Sequence, residues 1–115
     1  MKKNFEYWDL GRAEFNAGRF YEAHKFWEEI WVHAKGQEKS HMQGLIIFCG
    51  ILIHIEKGNL DVAKRLAINC QKKITNPNLF KYRIQGLEKF LKLVSEELWS
   101  KVKLEMTLLR AAPQK

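Results

Sequence analysis

His24 and Glu28 stand four residues apart in FYEAHKFWEEIW, and with His54 they are the residues of this chain whose types could do chemistry. Two imidazoles and one carboxylate can hold a divalent metal with open coordination positions, or supply a general base with an acid to orient it. The same residues can instead form a structural cluster, in which an imidazole in an apolar face bonds a carboxylate and fixes helix register without any ligand. A His-x-x-x-Glu spacing also arises often by chance, and metal centres normally gather more donors than three dispersed ones. The structural reading therefore ranks ahead of metal or acid/base catalysis.

The helix that carries the pair is strongly patterned. Taking about 100° per residue, Phe20, Ala23, Trp27, Ile30, Trp31 and Ala34 share one face, while Glu22, Lys25 and Glu29 lie opposite. His24 falls within the apolar face and Glu28 on its rim, so the pair is expected to be half buried. Trp27 and Trp31 are candidate binding residues, although aromatic side chains at helical spacing are more often core.

Glycine and proline divide the rest of the chain. Asn16-Ala17-Gly18 ends a first helix, predicted from about Asn4 to Phe15 and anchored by Trp8. The second helix stops near Ala34, before Lys35-Gly36. A third, from about Lys39 to Lys57, is apolar almost all round and so is expected to be the enclosed, central helix. On it Gln43, Ile47, Gly50 and His54 share one narrow face, and Gly50 would let another helix approach closely. A fourth helix is predicted from Leu60 to Thr75, stopped by Asn76-Pro77. Residues 78–85 have no clear period and are read as irregular; the segment from Leu87 to Leu109 is helical with a break near Ser95, and residues 110–115 fray.

If the second and third helices form an antiparallel hairpin about Gln37, His24 lies opposite Gly50 and Trp31 opposite Gln43. His54 is then one turn from Gly50, nearer to His24 than Gln43 is. That register makes His24, Glu28 and His54 the candidate site, with Gln43 in a separate contact.

The expected fold is all-α: a compact bundle of five or six helices in one domain over residues 1–115, built from two helix-turn-helix hairpins plus a C-terminal helix. Gly18 and Gly58 open matching segments, GRFYEA and GNLDVA, 40 residues apart. The first hairpin resembles a tetratricopeptide unit, but such arrays repeat every 34 residues or so and need about three units. A bundle is therefore expected, not a solenoid.

Composition narrows the function classes. The chain has 115 residues, 46% hydrophobic and 29% charged, which is ordinary for a globular protein. No apolar run is long enough to span a bilayer and MKKNFEYWDL has no apolar stretch of the length a secretory signal requires, so a cytoplasmic protein without a membrane partner is expected. Cys49 and Cys70 lack C-x-x-C spacing and are read as buried free thiols. The net charge of +7 sits in the second half: residues 1–57 carry eight basic and eight acidic side chains, residues 58–115 twelve and five. A basic surface of this kind can attract nucleic acid, but solvation is its commoner use, and nucleic-acid binding ranks last among the readings.

FNAGRFYEAHKFWEEIW followed by QGLIIFCG resembles domain-of-unknown-function family 309, small all-helical prokaryotic proteins. The first motif is matched from Phe15 to Trp31 and the second from Gln43 to Ile47, with a weaker likeness reaching the Gly86-Leu87 region. The resemblance implies an all-helical bundle whose biochemical role is not established; the label of metal-dependent hydrolase sometimes attached to the family is a guess. It also implies Glu22, His24, Trp27, Glu28, Trp31 and Gln43 as the polar or aromatic residues of interest. Lys25 replaces the glutamate usual after the histidine, and Ile47 replaces a glutamine, so two groups able to bind metal or polarise a substrate are missing.

The leading function is thus a structural, binding or oligomerisation module. Its partner is unknown, and a homo-oligomer could form through surplus apolar residues such as Phe26 and Phe48. A hydrolase using His24, Glu28 and His54, with a divalent metal as the one cofactor implied, is the alternative. Nucleic-acid binding through the basic half is the second.

Overall fold

Gly18 and Gly58 both adopt φ near +80° (82° and 78°), a backbone region open to glycine at little cost, and each ends a helix. The computed structural model describes residues 2–113, and these fold as an all-α bundle of six helices. The helices are α1 (Asn4–Asn16), α2 (Phe20–His33), α3 (Gly36–Glu56), α4 (Leu60–Lys73), α5 (Leu87–Ser95) and α6 (Trp99–Met106). The break expected near Ser95 is the end of α5, followed by Glu97 at φ 58°.

Successive helices pack on one another: α1 on α2, α2 on α3, α3 on α4, α4 on α5 and α5 on α6. Central α3 buries Met42, Leu45, Phe48, Cys49, Ile51 and Leu52, as its all-round apolar pattern requires. Trp8 is fully buried and stacks on Trp27 at 4.6 Å between ring centroids, and Phe15 also stacks on Trp27, at 5.6 Å. Phe48 belongs to this core and is not a surplus surface aromatic; Phe26 is half buried against it. Phe5 and Leu10, on the outer side of α1, are exposed. Two close approaches are made through glycine, but neither is at Gly50, whose added Cβ would be 3.9 Å from Leu66 in ordinary contact. They are at Gly11, where a Cβ would fall within the Trp27 indole, and at Gly44, where it would fall on Ile74.

Residues 78–85 are partly ordered by hydrogen bonding. Pro77–Leu79 form one 3₁₀ turn, and Ile84–Gln85 form a two-residue strand, β1. Its antiparallel partner is β2, Arg110–Ala111, so the tail expected to fray is built in. Ala111 and Ala112 are buried, the Ala112 N–H donates to the Arg83 carbonyl, and the Trp8 indole N–H donates to the Ala112 carbonyl at 2.9 Å. Gln114 and Lys115, expected to fray with that tail, lie outside the described residues.

Candidate functional site

The α2 helix brings His24 and Glu28 together, as one helical turn must. Nε2 of His24 lies 3.6 Å from Oε1 of Glu28, with 21% of the histidine side chain and 48% of the glutamate exposed. Nδ1 of His24 faces the Tyr21 carbonyl oxygen and carries the proton, and the Tyr21 ring packs beside it. His24 is therefore half buried, as its place in the apolar face predicts, while Glu28 on the rim is exposed. His54 makes its polar contact elsewhere, with the Asn59 amide at 3.3 Å in the turn before α4.

The remaining sequence candidates divide between core and surface. Trp27 is fully buried and its indole N–H donates to the Trp8 carbonyl at 3.3 Å. Trp31 is half buried, with the Lys39 ammonium 4.4 Å from its ring centroid and its own N–H buried without a partner. Gln43 is half buried and Glu22 exposed. Among the described residues no three His, Cys, Asp or Glu side chains gather as metal ligands. His24 and Glu28 supply two donors and no third, so this donor set does not fit a resident metal.

A histidine that the helical pattern did not single out is the buried one. His41 on α3 is 2% exposed, stacked on Phe80 at 4.3 Å and 16° between planes. Its Nε2 lies 2.7 Å from the Tyr82 carbonyl oxygen, an acceptor only, so Nε2 carries the hydrogen and donates it. Burial pushes the imidazole below its ordinary pKa, outweighing the Tyr82 hydrogen bond and the Glu38 carboxylate, which act in the other direction. The ring is therefore neutral at neutral pH, and Nδ1 is a lone-pair acceptor. That nitrogen is buried with no partner.

His41 lines a cavity of about 480 Å³. Its walls are His41 and Leu45 from α3, the 3₁₀ turn at Pro77 and Asn78, Arg83 to Gly86 around β1, the first residues of α5, and Ala112 of the tail. The tail thus closes one side of it. The sequence held one signal for this site, a histidine three residues from Glu38 on an enclosed helix, but the groups that make the cavity come from residues 77–112 and share no motif with it.

The motif residues gain structural roles from the same geometry. Asn16 accepts the Ala111 N–H at 2.8 Å and donates to the Ala111 carbonyl at 3.3 Å, while Phe15 beside it is core. Phe15-Asn16 therefore joins the aromatic cluster to the tail. No curated protein and no solved structure matches the chain. A family model does, over residues 8–66, just over half of the chain, and the protein belongs to that family, the domain of unknown function DUF309.

Proposed function

We propose that this protein is a binding module that takes a small ligand into the cavity beside His41, and not a hydrolase built on His24 and Glu28. The observation that carries the reading is the cavity itself, lined by His41, Arg83 and the start of α5. A cavity of about 480 Å³ lies in the range of small-molecule sites. His24 and Glu28 offer less, since both are solvent-accessible and lack a third polar partner.

The module acts in the cytoplasm on this reading. Two free, buried cysteines support a reducing compartment, and no helix among the described residues is long and apolar enough to cross a membrane.

Amide NMR spectra recorded during titration with glycerol, glycerol 3-phosphate, benzoate and indole test the proposal. The expected result is a saturable shift, for at least one probe, of Leu45, Arg83, Gln85 and Gly86, with Glu28 unmoved. Shifts confined to α2, or no saturable shift from any of the four, would refute it.

A further inference from the structure

Three helices end in the same hydrogen-bonded turn, and one of them lacks the residue that the turn favours. After α1 the Gly18 N–H donates to the Phe15 carbonyl at 2.9 Å and the Arg19 N–H to the Glu14 carbonyl at 2.8 Å. After α3 the Gly58 N–H donates to Ile55 at 3.0 Å and the Asn59 N–H to His54 at 2.8 Å. Both glycines are left-handed, at φ 82° and 78°. After α5 the pattern recurs, with the Glu97 N–H donating to Val94 and the Leu98 N–H to Leu93, each at 3.0 Å. Here the left-handed residue, at φ 58°, is a glutamate, and among the described residues no other non-glycine has positive φ. A side chain in that region crowds its own backbone, so the link between α5 and α6 is strained where the two glycine turns are relaxed.

The sequence across the link favours helix. LEKFLKLVSEELWSKVKLEM, from Leu87 to Met106, contains neither glycine nor proline, and Glu96, Glu97 and Leu98 are good helix formers. The apolar stripe also runs through the break, because Leu87, Leu91, Val94, Leu98 and Val102 keep the spacing of one uninterrupted helix. Straightened, Glu97 stands four residues before Lys101, an order that stabilises a helix, in exchange for its exposed ion pair with Lys64 at 3.1 Å. A helix over residues 87–106 is a rod about 30 Å long at about 1.5 Å per residue, and it carries α6 clear of its own α5.

α6 and the tail after it form an arm whose seat is separable from the rest of the bundle. α6 packs on α5, while the tail is held from α1 and β1 by the Trp8 indole N–H, the Asn16 carboxamide and the Arg83 carbonyl. The arm buries Val102, Leu109, Ala111 and Ala112, so once detached it seeks another apolar seat. Its own seat is loosely packed. A cavity of about 170 Å³ lies between Trp99 and Val102 of the arm and Ile55 and Leu60, and one of about 270 Å³ separates Met106 and Leu109 from the turn at Gly18. Voids there remove contacts that would otherwise hold the arm down.

We propose that Glu96 to Leu98 is the hinge of an arm exchange: α5 and α6 straighten into one helix, and α6 with its tail docks into the same seat on a second copy of this chain. A second copy is the partner because its arm is already fitted to the Trp8, Asn16 and Arg83 groups of that seat. Exchange keeps every contact of the arm and removes the strain at Glu97 twice per dimer. The inference stands whether or not the cavity beside His41 takes a ligand, although Ala112 would then close that cavity from the other copy.

The test is the mass, by light scattering behind size exclusion, of full-length wild type and Glu97→Gly refolded at concentrations from dilute to millimolar. The wild type should become dimeric as concentration rises. Glycine relaxes the turn and weakens the straight helix, each by about fivefold or more per hinge, and two hinges straighten per dimer. The dissociation constant of Glu97→Gly should therefore rise by at least about a hundredfold. Its monomer should also melt at a higher temperature than that of the wild type. In dimers assembled from nitrogen-labelled and carbon-labelled chains, the Trp8 indole should show NMR contacts to Ala112 of the partner subunit. Wild type that stays monomeric at millimolar concentration would overturn the proposal. So would a dimer whose Trp8 to Ala112 contacts stay within one chain, a dimer equally tight in Glu97→Gly, or a Glu97→Gly monomer that melts no higher.

Discussion

The Asn16 carboxamide pairs with both polar groups of the Ala111 backbone across 95 residues of sequence, donating to its carbonyl at 3.3 Å and accepting its N–H at 2.8 Å. Those groups are buried, and on its other edge Ala111 pairs with Ile84. Removing the amide therefore leaves a donor and an acceptor stranded. Asn16→Ala should lower unfolding free energy by about 1–3 kcal/mol in denaturant titration. It should also speed hydrogen exchange at Ala111 and Ala112 more than at Leu52, because the tail opens before the core does. Equal protection of tail and core in the variant would mean that the strand pairing alone holds the tail.

Trp27 lies against the backbone of α1 where Gly11 leaves space. An alanine Cβ at that position would overlap the indole, and Trp27 is fully buried and stacked with both Trp8 and Phe15, so it has little room to swing aside. Gly11→Ala gains a little helix propensity but should lose about 1–3 kcal/mol by overpacking. Leu52→Ala, at a fully buried position of α3, should cost about 2–5 kcal/mol through the cavity it leaves. A stabilised Gly11→Ala variant would show that the α1–α2 contact is looser than the stacked rings imply.

His24→Ala separates the two readings of the α2 pair. Full burial would make loss of the imidazole costly, but with Glu28 about half exposed the carboxylate regains water when its partner goes. The change in stability should stay within about 0.5 kcal/mol, the range of exposed i,i+4 pairs. A loss well above 1 kcal/mol would return this pair to a structural role in the core.

The helix plan was readable because it rests on local signals. Gly18, Gly58 and Asn76-Pro77 stop helices by their own backbone preferences, and the apolar spacing of α2 and α4 identifies Trp27, Ala63 and Cys70 as buried whatever packs on them. The candidate site was less readable, for physical reasons. On α2 the periodicity places His24 in the apolar face, where it is half buried, but it cannot say that the neighbouring helices leave Glu28 on the rim exposed. On α3 the apolar pattern runs all round, so no face is distinguished and His41 carries no mark of its burial. Tail burial depends on Trp8, Asn16 and Arg83, all far away in sequence, and short runs such as Arg110-Ala111-Ala112 have no period to read. Gly50 was expected to allow close approach from its helical face alone, while the real contact at Gly44 depends on where Ile74 ends α4.

Both thiols should be inert in the folded protein. Burial pushes Cys70 up to about 12 and Cys49 further in the same direction, and Cys70 Sγ donates to the Gly44 carbonyl at 3.2 Å. Since the thiolate is the reactive form, iodoacetamide at neutral pH should modify neither residue in native protein and both in denaturant, as counted by mass spectrometry. Rapid alkylation of Cys70 without unfolding would place local opening at the α3–α4 contact.

Acid should destabilise the protein through His41. Its folded-state pKa lies below the ordinary value of 6.5 because the charged ring is desolvated, so the unfolded chain binds the proton first as pH falls. The sign follows from linkage: stability from this residue is fully present above the unfolded value and is lost as pH drops below 6.5 towards the folded one. Through that window the contribution to unfolding free energy should fall with a slope approaching about 1.4 kcal/mol per pH unit. Denaturant titrations of wild type and His41→Gln at several pH values between neutrality and mild acid isolate it, because every other residue is common to the two proteins. The gap in stability between the two should narrow as pH falls, since the wild type loses what glutamine never had. A gap that stays constant across the window would show that His41 keeps its ordinary affinity for the proton, and hence that water reaches Nδ1.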